Sequence, residues 1–114
     1  MRGKIIVSSF WTRLFSAGKA RAVTIFPFIF LLEKASKHDH TLLNHERIHI
    51  RQALELCILP FYLWYGIEFL CRFIQLRNFH RAYLHISFER EAYNHEEDIN
   101  YLKKRPYWNF LKYI

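Results

Sequence analysis

His45 and His49 stand four residues apart, with Glu46 directly after the first, in the run Asn44-His45-Glu46-Arg47-Ile48-His49-Ile50-Arg51-Gln52. On a helix, residues four apart project from one face about 6 Å apart along the axis, close enough for both imidazoles to bind one tetrahedral zinc ion. Glu46 can lean toward such an ion without binding it and take a proton from a water activated there. This is the His-Glu-x-x-His pattern of zinc metalloproteases, and its chemistry is hydrolysis. Without a metal, the same residues are two surface histidines and an ordinary glutamate on an exposed helix.

A catalytic zinc needs a third protein ligand and an open position for water. Further along the chain the candidates are His80, His85, Glu89, Glu91 and His95. Among them lies Ser87-Phe88-Glu89-Arg90-Glu91-Ala92-Tyr93, which resembles the Phe-Glu-x-x-Ala-Asp element of the gluzincin clan, carried by the CaaX prenyl proteases and the membrane heat-shock proteases. The run His49-Ile50-Arg51 is similar to that of the β-lactam-sensing membrane metallopeptidases. The resemblance covers the motif helix, the apolar helix after it and the segment around Glu89, about half of the chain. It implies His45, His49 and Glu89 as zinc ligands and Glu46 as general base. One position departs: where those families place an Asp four residues after the ligand Glu, this chain has Tyr93. A phenol cannot act as the carboxylate that orients a ligand imidazole, which leaves Tyr93 to hold a ligand by one hydrogen bond or to stabilise a developing oxyanion. Glu91 lies off the Glu89 face, and Glu89 itself would otherwise be a carboxylate at a helix start, favoured there by the helix dipole. Tyr83, His80 and His85 are the further groups that could supply a proton or hold a tetrahedral intermediate.

The elements that must position these groups follow from pattern. Residues 4–10 and 22–32 are rich in β-branched and aromatic side chains and predict strands separated by a turn near Gly18. Pro27 cannot donate a ladder hydrogen bond, so the second strand is expected at a sheet edge or a bulge, where the stretch from Ile25 to Leu31 could hold an extended peptide. Residues 33–40 are polar and predict a loop. From Thr41, apolar residues and the two histidines recur at helical steps as far as Cys57, and Pro60 is the expected stop. Residues 61–76 predict an amphipathic or nearly buried helix, and residues 77–86 a basic connection. Ser87 is the expected N-cap of a third helix reaching Lys104, with Phe88, Ala92, Ile99 and Leu102 inward; Pro106 ends it before a short aromatic helix over 107–114. The fold class expected is α+β: a minimal zincin-like domain spanning 1–114, with a small N-terminal antiparallel sheet or hairpin and three main helices, the first carrying the motif.

Composition bounds the function. In 114 residues, 52% are apolar and 18% aromatic, which argues against a disordered chain and for a very aromatic core or an apolar surface that meets a partner or lipid. Lys and Arg outnumber Asp and Glu by 17 to 10, a formal charge of +7 that favours anionic surfaces. The basic residues are scattered through all segments, which argues against nucleic acid. Trp64, Tyr62 and Tyr65, with Arg72, Arg77 and Arg81, are suited instead to peripheral attachment at an anionic membrane face, although a core helix would carry the same residues. A true span from Leu56 to Leu76 is disfavoured by Pro60, Glu68 and Arg72. Cys57 and Cys71 are read as buried, reduced thiols. The start, Met1-Arg2-Gly3-Lys4, resembles that of a signal peptide, but Ser8, Ser9 and Arg13 interrupt the apolar run, so a cytoplasmic chain, peripheral at the inner membrane face, is expected. The functional expectation is a zinc peptidase acting on a peptide or protein substrate. Its rival is a non-catalytic basic or membrane-associated module in which zinc is structural or absent.

Overall fold

The computed structural model describes residues 3–16, 18 and 20–114 and is α+β. β1 (Lys4–Val7) leads through Ser8, whose Oγ accepts the Trp11 amide, into α1 (Ser9–Ser16). β2 (Ala22–Ile25) and β3 (Phe28–Leu31) then form a hairpin with Pro27 in its turn, after a cis Phe26-Pro27 bond. The sheet order is β1-β3-β2, with β3 antiparallel to β2 and parallel to β1. The sheet is therefore mixed rather than antiparallel, and β3 is central. Pro27 sits in the turn, where its missing N–H interrupts no ladder, so the free edge beside the helices is β2 rather than the stretch through Leu31. Residues 8–10, expected in the first strand, leave the sheet at Ser8 and turn into α1.

A 3-10 turn (Lys34–His38) delivers Asp39, which caps α2 (His40–Glu55) by accepting the Leu42 amide and is itself held by Arg21 at 3.0 Å. α2 is the central element. Leu43 and Ile50 pack on Ala22, Ile29 and Leu31 of the sheet, Ile48 packs on Ala92 and Tyr101, and Ala53 joins Phe61, Ile86, Phe88 and Phe110. Phe30 faces the other side of the sheet and meets Phe15 of α1. α2 ends at Glu55, before Pro60. The chain turns through Cys57 and Ile58, at φ of 60° and 70°, and α3 (Leu59–Leu76) leaves at 113° to α2. Pro60 lies in the first turn of α3, where a helix needs no N–H.

α3 is amphipathic in an unexpected sense. Phe61 is its one fully buried residue, with Trp64, Tyr65 and Phe69 packed partly beside it, while Leu59, Leu63, Ile67, Leu70 and Ile74 stay exposed. A core helix would have buried that face. No single helix among the described residues is long and apolar enough to cross a membrane. Cys57, in the turn, and Cys71, on α3, are both exposed, so they are not buried thiols.

The connection after α3 contains α4 (Phe79–Leu84), capped by Asn78, which accepts the Arg81 amide. α5 (Ser87–His95) is followed by a turn and by α6 (Tyr101–Lys104), so the single third helix to Lys104 is broken at residues 96–100 and Ile99 is exposed. Ser87 is not the cap: Ile86 holds that position, and the Ser87 amide and hydroxyl both donate to Glu68 of α3. The chain closes in a 3-10 turn (Asn109–Tyr113) rather than an α-helix, with Phe110 in the core.

Candidate metal centre

α2 presents His45 and His49 from consecutive turns, and α5 presents Glu89 from its first turn against them. The Nε2 atoms of the two histidines are 3.2 Å apart, and Glu89 Oε1 is 3.0 Å from one and 3.1 Å from the other. All three side chains are buried. Two donor atoms at about 2.0–2.1 Å from a tetrahedral zinc stand roughly 3.3 Å from each other, so this triangle has close to the size of one face of such a site. The donor set, two imidazoles and one carboxylate, suits zinc.

Each ligand atom is free to point inward because the other end of its side chain is occupied. His45 Nδ1 donates to Glu96 Oε2 at 2.8 Å, and His49 Nδ1 donates to Gln52 Oε1 at 2.8 Å. With a metal bound, both contacts would keep the imidazole proton on Nδ1 and leave Nε2 as the metal donor; without one, Nε2 also carries a proton toward Glu89. Tyr65, from α3, donates to Glu89 Oε2 at 2.6 Å, leaving Oε1 facing the histidines. Asn44 donates to the carbonyls of His95, Glu96 and Asp98 and so fixes the turn that carries Glu96. Gln52 also donates to the Phe88 carbonyl and to Glu91, which sets its amide orientation.

Glu46 stands beside the triangle. Its Oε1 accepts the Thr24 hydroxyl at 2.9 Å, while Oε2 is 3.9 Å from His45 Nε2. One oxygen is thus held by β2 and the other faces the centre without belonging to it. That is the placement a general base requires. Tyr93 packs its ring edge on His45, with centroids 4.4 Å apart, and its hydroxyl meets that of Tyr83 at 3.1 Å. Burial, then the nearby Glu89 charge, raises Tyr83; burial also leads the upward shift of Tyr93.

The electrostatics follow from crowding. Burial alone would push the Glu89 carboxyl up, but the charge of His49 and hydrogen bonds from both histidines hold it well below the usual carboxylate range. Burial would push both histidines down, yet the Glu89 carboxylate outweighs it: His45 is raised, and His49 is raised to about 9.

The other candidates fall elsewhere. Glu91 turns away from the triangle into a buried network with Arg105, Tyr101 and Gln52. His85 donates to the Arg81 carbonyl at the surface, and His95 stacks on Tyr101 and meets the Tyr113 hydroxyl. His80 and Tyr83 line the cleft but do not join the triangle. That cleft, about 840 Å³, opens over His45, Glu46, His49 and Glu89. β2 and Phe15 line it, as do Phe61, Tyr62, Tyr65 and Phe69 of α3.

No family model, curated protein or solved structure matches the chain.

Glu96, Gln52, Thr24 and Asn44 lie outside the sequence motifs, and in the sequence Tyr65 reads only as an interfacial aromatic. Gln52 carried a signal, since a group three residues beyond His49 lies on the same helix face. Glu96 carried none, because its position depends on the break after α5.

Proposed function

We propose that the chain is a zinc-dependent hydrolase with a minimal zincin-like fold, a peptidase in which His45, His49 and Glu89 hold the metal and Glu46 is the general base. The observation that carries this reading is the convergence of two Nε2 atoms and one carboxylate oxygen at 3.0–3.2 Å, with Glu46 beside them and not among them. Three protein donors beneath a cleft are the pattern of a catalytic zinc; structural sites are closed by four. Zinc held there supplies a Lewis acid and lowers the pKa of water.

The chain's own residues account for the rest. Glu46 takes a proton from the attacking water through Oε2, its other oxygen being fixed by Thr24. Water oxygen bonds to the scissile carbonyl carbon, the C–N bond breaks, and Glu46 returns the proton to the leaving nitrogen. The hydroxyls of Tyr83 and Tyr93, kept protonated by burial, are the donors available to the carbonyl oxygen as charge develops on it.

The substrate backbone has a partner in β2. The Leu32 amide bonds the Arg21 carbonyl, so the antiparallel alternation turns the amide groups of Ala22, Thr24 and Phe26 outward. Tyr62 already takes two of them, donating to the Thr24 carbonyl and accepting from the Phe26 amide. An extended peptide would therefore pair with Ala22 and the Thr24 amide, directly over the metal helix.

The test is cleavage of an unstructured peptide mixture, read by mass spectrometry, by zinc-loaded wild type and by Glu46→Gln. The expected result is new termini with wild type only and equal zinc in both. Undiminished cleavage by Glu46→Gln overturns the mechanism.

A further inference from the structure

Leu59, Leu63, Ile67, Leu70 and Ile74 follow one another at steps of four, four, three and four residues, which places them on one stripe along α3. All are more than half exposed, from 54% for Ile67 to 78% for Leu59. A continuous stripe of this kind on an 18-residue helix is not the scatter of single apolar residues found on ordinary surfaces.

The charges around the stripe identify what can cover it. Between Leu59 and Ile86 the only acidic residue is Glu68. It is turned inward, accepting from Trp64 and from the Ser87 amide and hydroxyl. The same segment exposes Arg77 and Arg81, neither of them paired with a carboxylate among the described residues, while the half-buried Arg72 lies on the opposite side of α3 from the stripe and donates to Gln75. The outward side of α3 and α4 is thus apolar along the helix and cationic toward its C-terminal end.

We propose that this face lies on an anionic phospholipid bilayer, with α3 parallel to the surface, the stripe at the acyl boundary and Arg77 and Arg81 among the headgroups. Charge decides between occupants. A second copy would set these arginines against one another across a two-fold axis, with no exposed carboxylate on the face to receive them. A bilayer supplies apolar depth and negative charge together. No single helix among the described residues is long and apolar enough to cross a membrane, and α2, the other half of the bent pair that would have the length, is enclosed in the protein core, so the contact is drawn as one of surface. Gly66, one turn from both Leu63 and Leu70, lines the cleft, so the stripe comes nearest the cleft at that turn of α3. This inference stands on α3 and α4 and is independent of the metal reading.

The experiment is flotation of the full chain with phosphatidylcholine vesicles and with vesicles containing phosphatidylglycerol. Wild type is compared with Leu63→Glu/Leu70→Glu, with the milder Leu59→Ser/Ile74→Ser and with Arg77→Ser/Arg81→Ser. Circular dichroism checks the fold of each variant, and sedimentation velocity gives its oligomeric state. The expected result is binding to the anionic vesicles at least ten times stronger than to the neutral ones and weakened by salt. Either stripe variant abolishes it, and the arginine variant lowers it toward the neutral level. Failure of wild type to float with anionic vesicles overturns the proposal. So does flotation unchanged in both folded stripe variants, or a dimer that the stripe variants dissociate while no vesicle binds. None of these results depends on zinc content or cleavage, so the peptidase reading stands or falls separately.

Discussion

Glu96 Oε2 lies 2.8 Å from His45 Nδ1, so the carboxylate that orients the first motif histidine comes from the turn after α5 and not from position 93. Tyr93 instead lays its ring on the same imidazole. An orienting carboxylate raises the basicity of a ligand histidine and fixes its tautomer, and its loss costs about 10- to 100-fold in metal affinity. Glu96→Ala should weaken zinc binding by that factor while leaving the helical content unchanged. Tyr93→Phe, which keeps the ring, should leave zinc affinity as it is. Competition with a chromogenic chelator measures both, and an equal loss in the two variants would assign the orienting role wrongly.

Thr24 and Glu46 form a second such pair. The Thr24 hydroxyl holds one oxygen of the base, and a hydrogen bond to a charged group contributes about 1.5–3 kcal/mol. Thr24→Val should therefore lower kcat about tenfold or more without loss of zinc. Metal content measured alongside turnover separates this from a binding effect. A variant with full activity would show that Glu46 needs no such support.

The centre should make the metal-free protein sensitive to alkali. Burial lowers the His49 pKa, but Glu89 more than offsets it and raises the group from 6.5 to about 9. A group raised on folding stabilises the fold fully below its unfolded value and ceases to do so as pH rises through the folded one. Melting of the chelated protein should therefore fall between about pH 6.5 and pH 9. Zinc competes with the same proton, so its affinity should rise over that interval. Melting temperatures and zinc titrations across the range check both slopes, and a melting temperature that climbs with pH would contradict the assignment.

Glu91 serves stability. Its carboxylate receives Arg105 and the Tyr101 hydroxyl, and Arg105 also meets Glu55 at 2.7 Å, all with these charged side chains almost fully enclosed. Removing one partner from a buried pair leaves an uncompensated charge at a cost of about 3–5 kcal/mol. Arg105→Ala should lose stability of that order in urea unfolding. A loss typical of a surface ion pair, below about 1 kcal/mol, would contradict the burial.

The motif helix was legible because helical spacing is a local property: His45, Glu46 and His49 needed only α2 to share a face, and Glu89 was reachable through the resemblance around it. What depended on non-local contacts was not. α1 buries only Thr12 among its described residues and exposes Phe10, Trp11 and Leu14, so its apolar pattern points the wrong way for a core helix. Pro27 reads as an edge signal in sequence, but in a hairpin turn it leaves its strand free to be central. The stripe on α3 reads equally as core or as surface, since periodicity shows that a face exists and not what covers it. Glu96 became an orienting group only because Asn44 of α2 gathers the carbonyls that follow α5.

The proposed function rests on His45, His49 and Glu89 together holding a catalytic zinc. The direct measurement is zinc per chain in protein purified without added metal and then reconstituted, for wild type, His45→Ala, His49→Ala, Glu89→Ala and Glu46→Gln. Near-stoichiometric zinc is expected in wild type and Glu46→Gln, and zinc lost or sharply weakened in the other three. Wild type that takes up no zinc, or ligand variants that retain it fully, would contradict it.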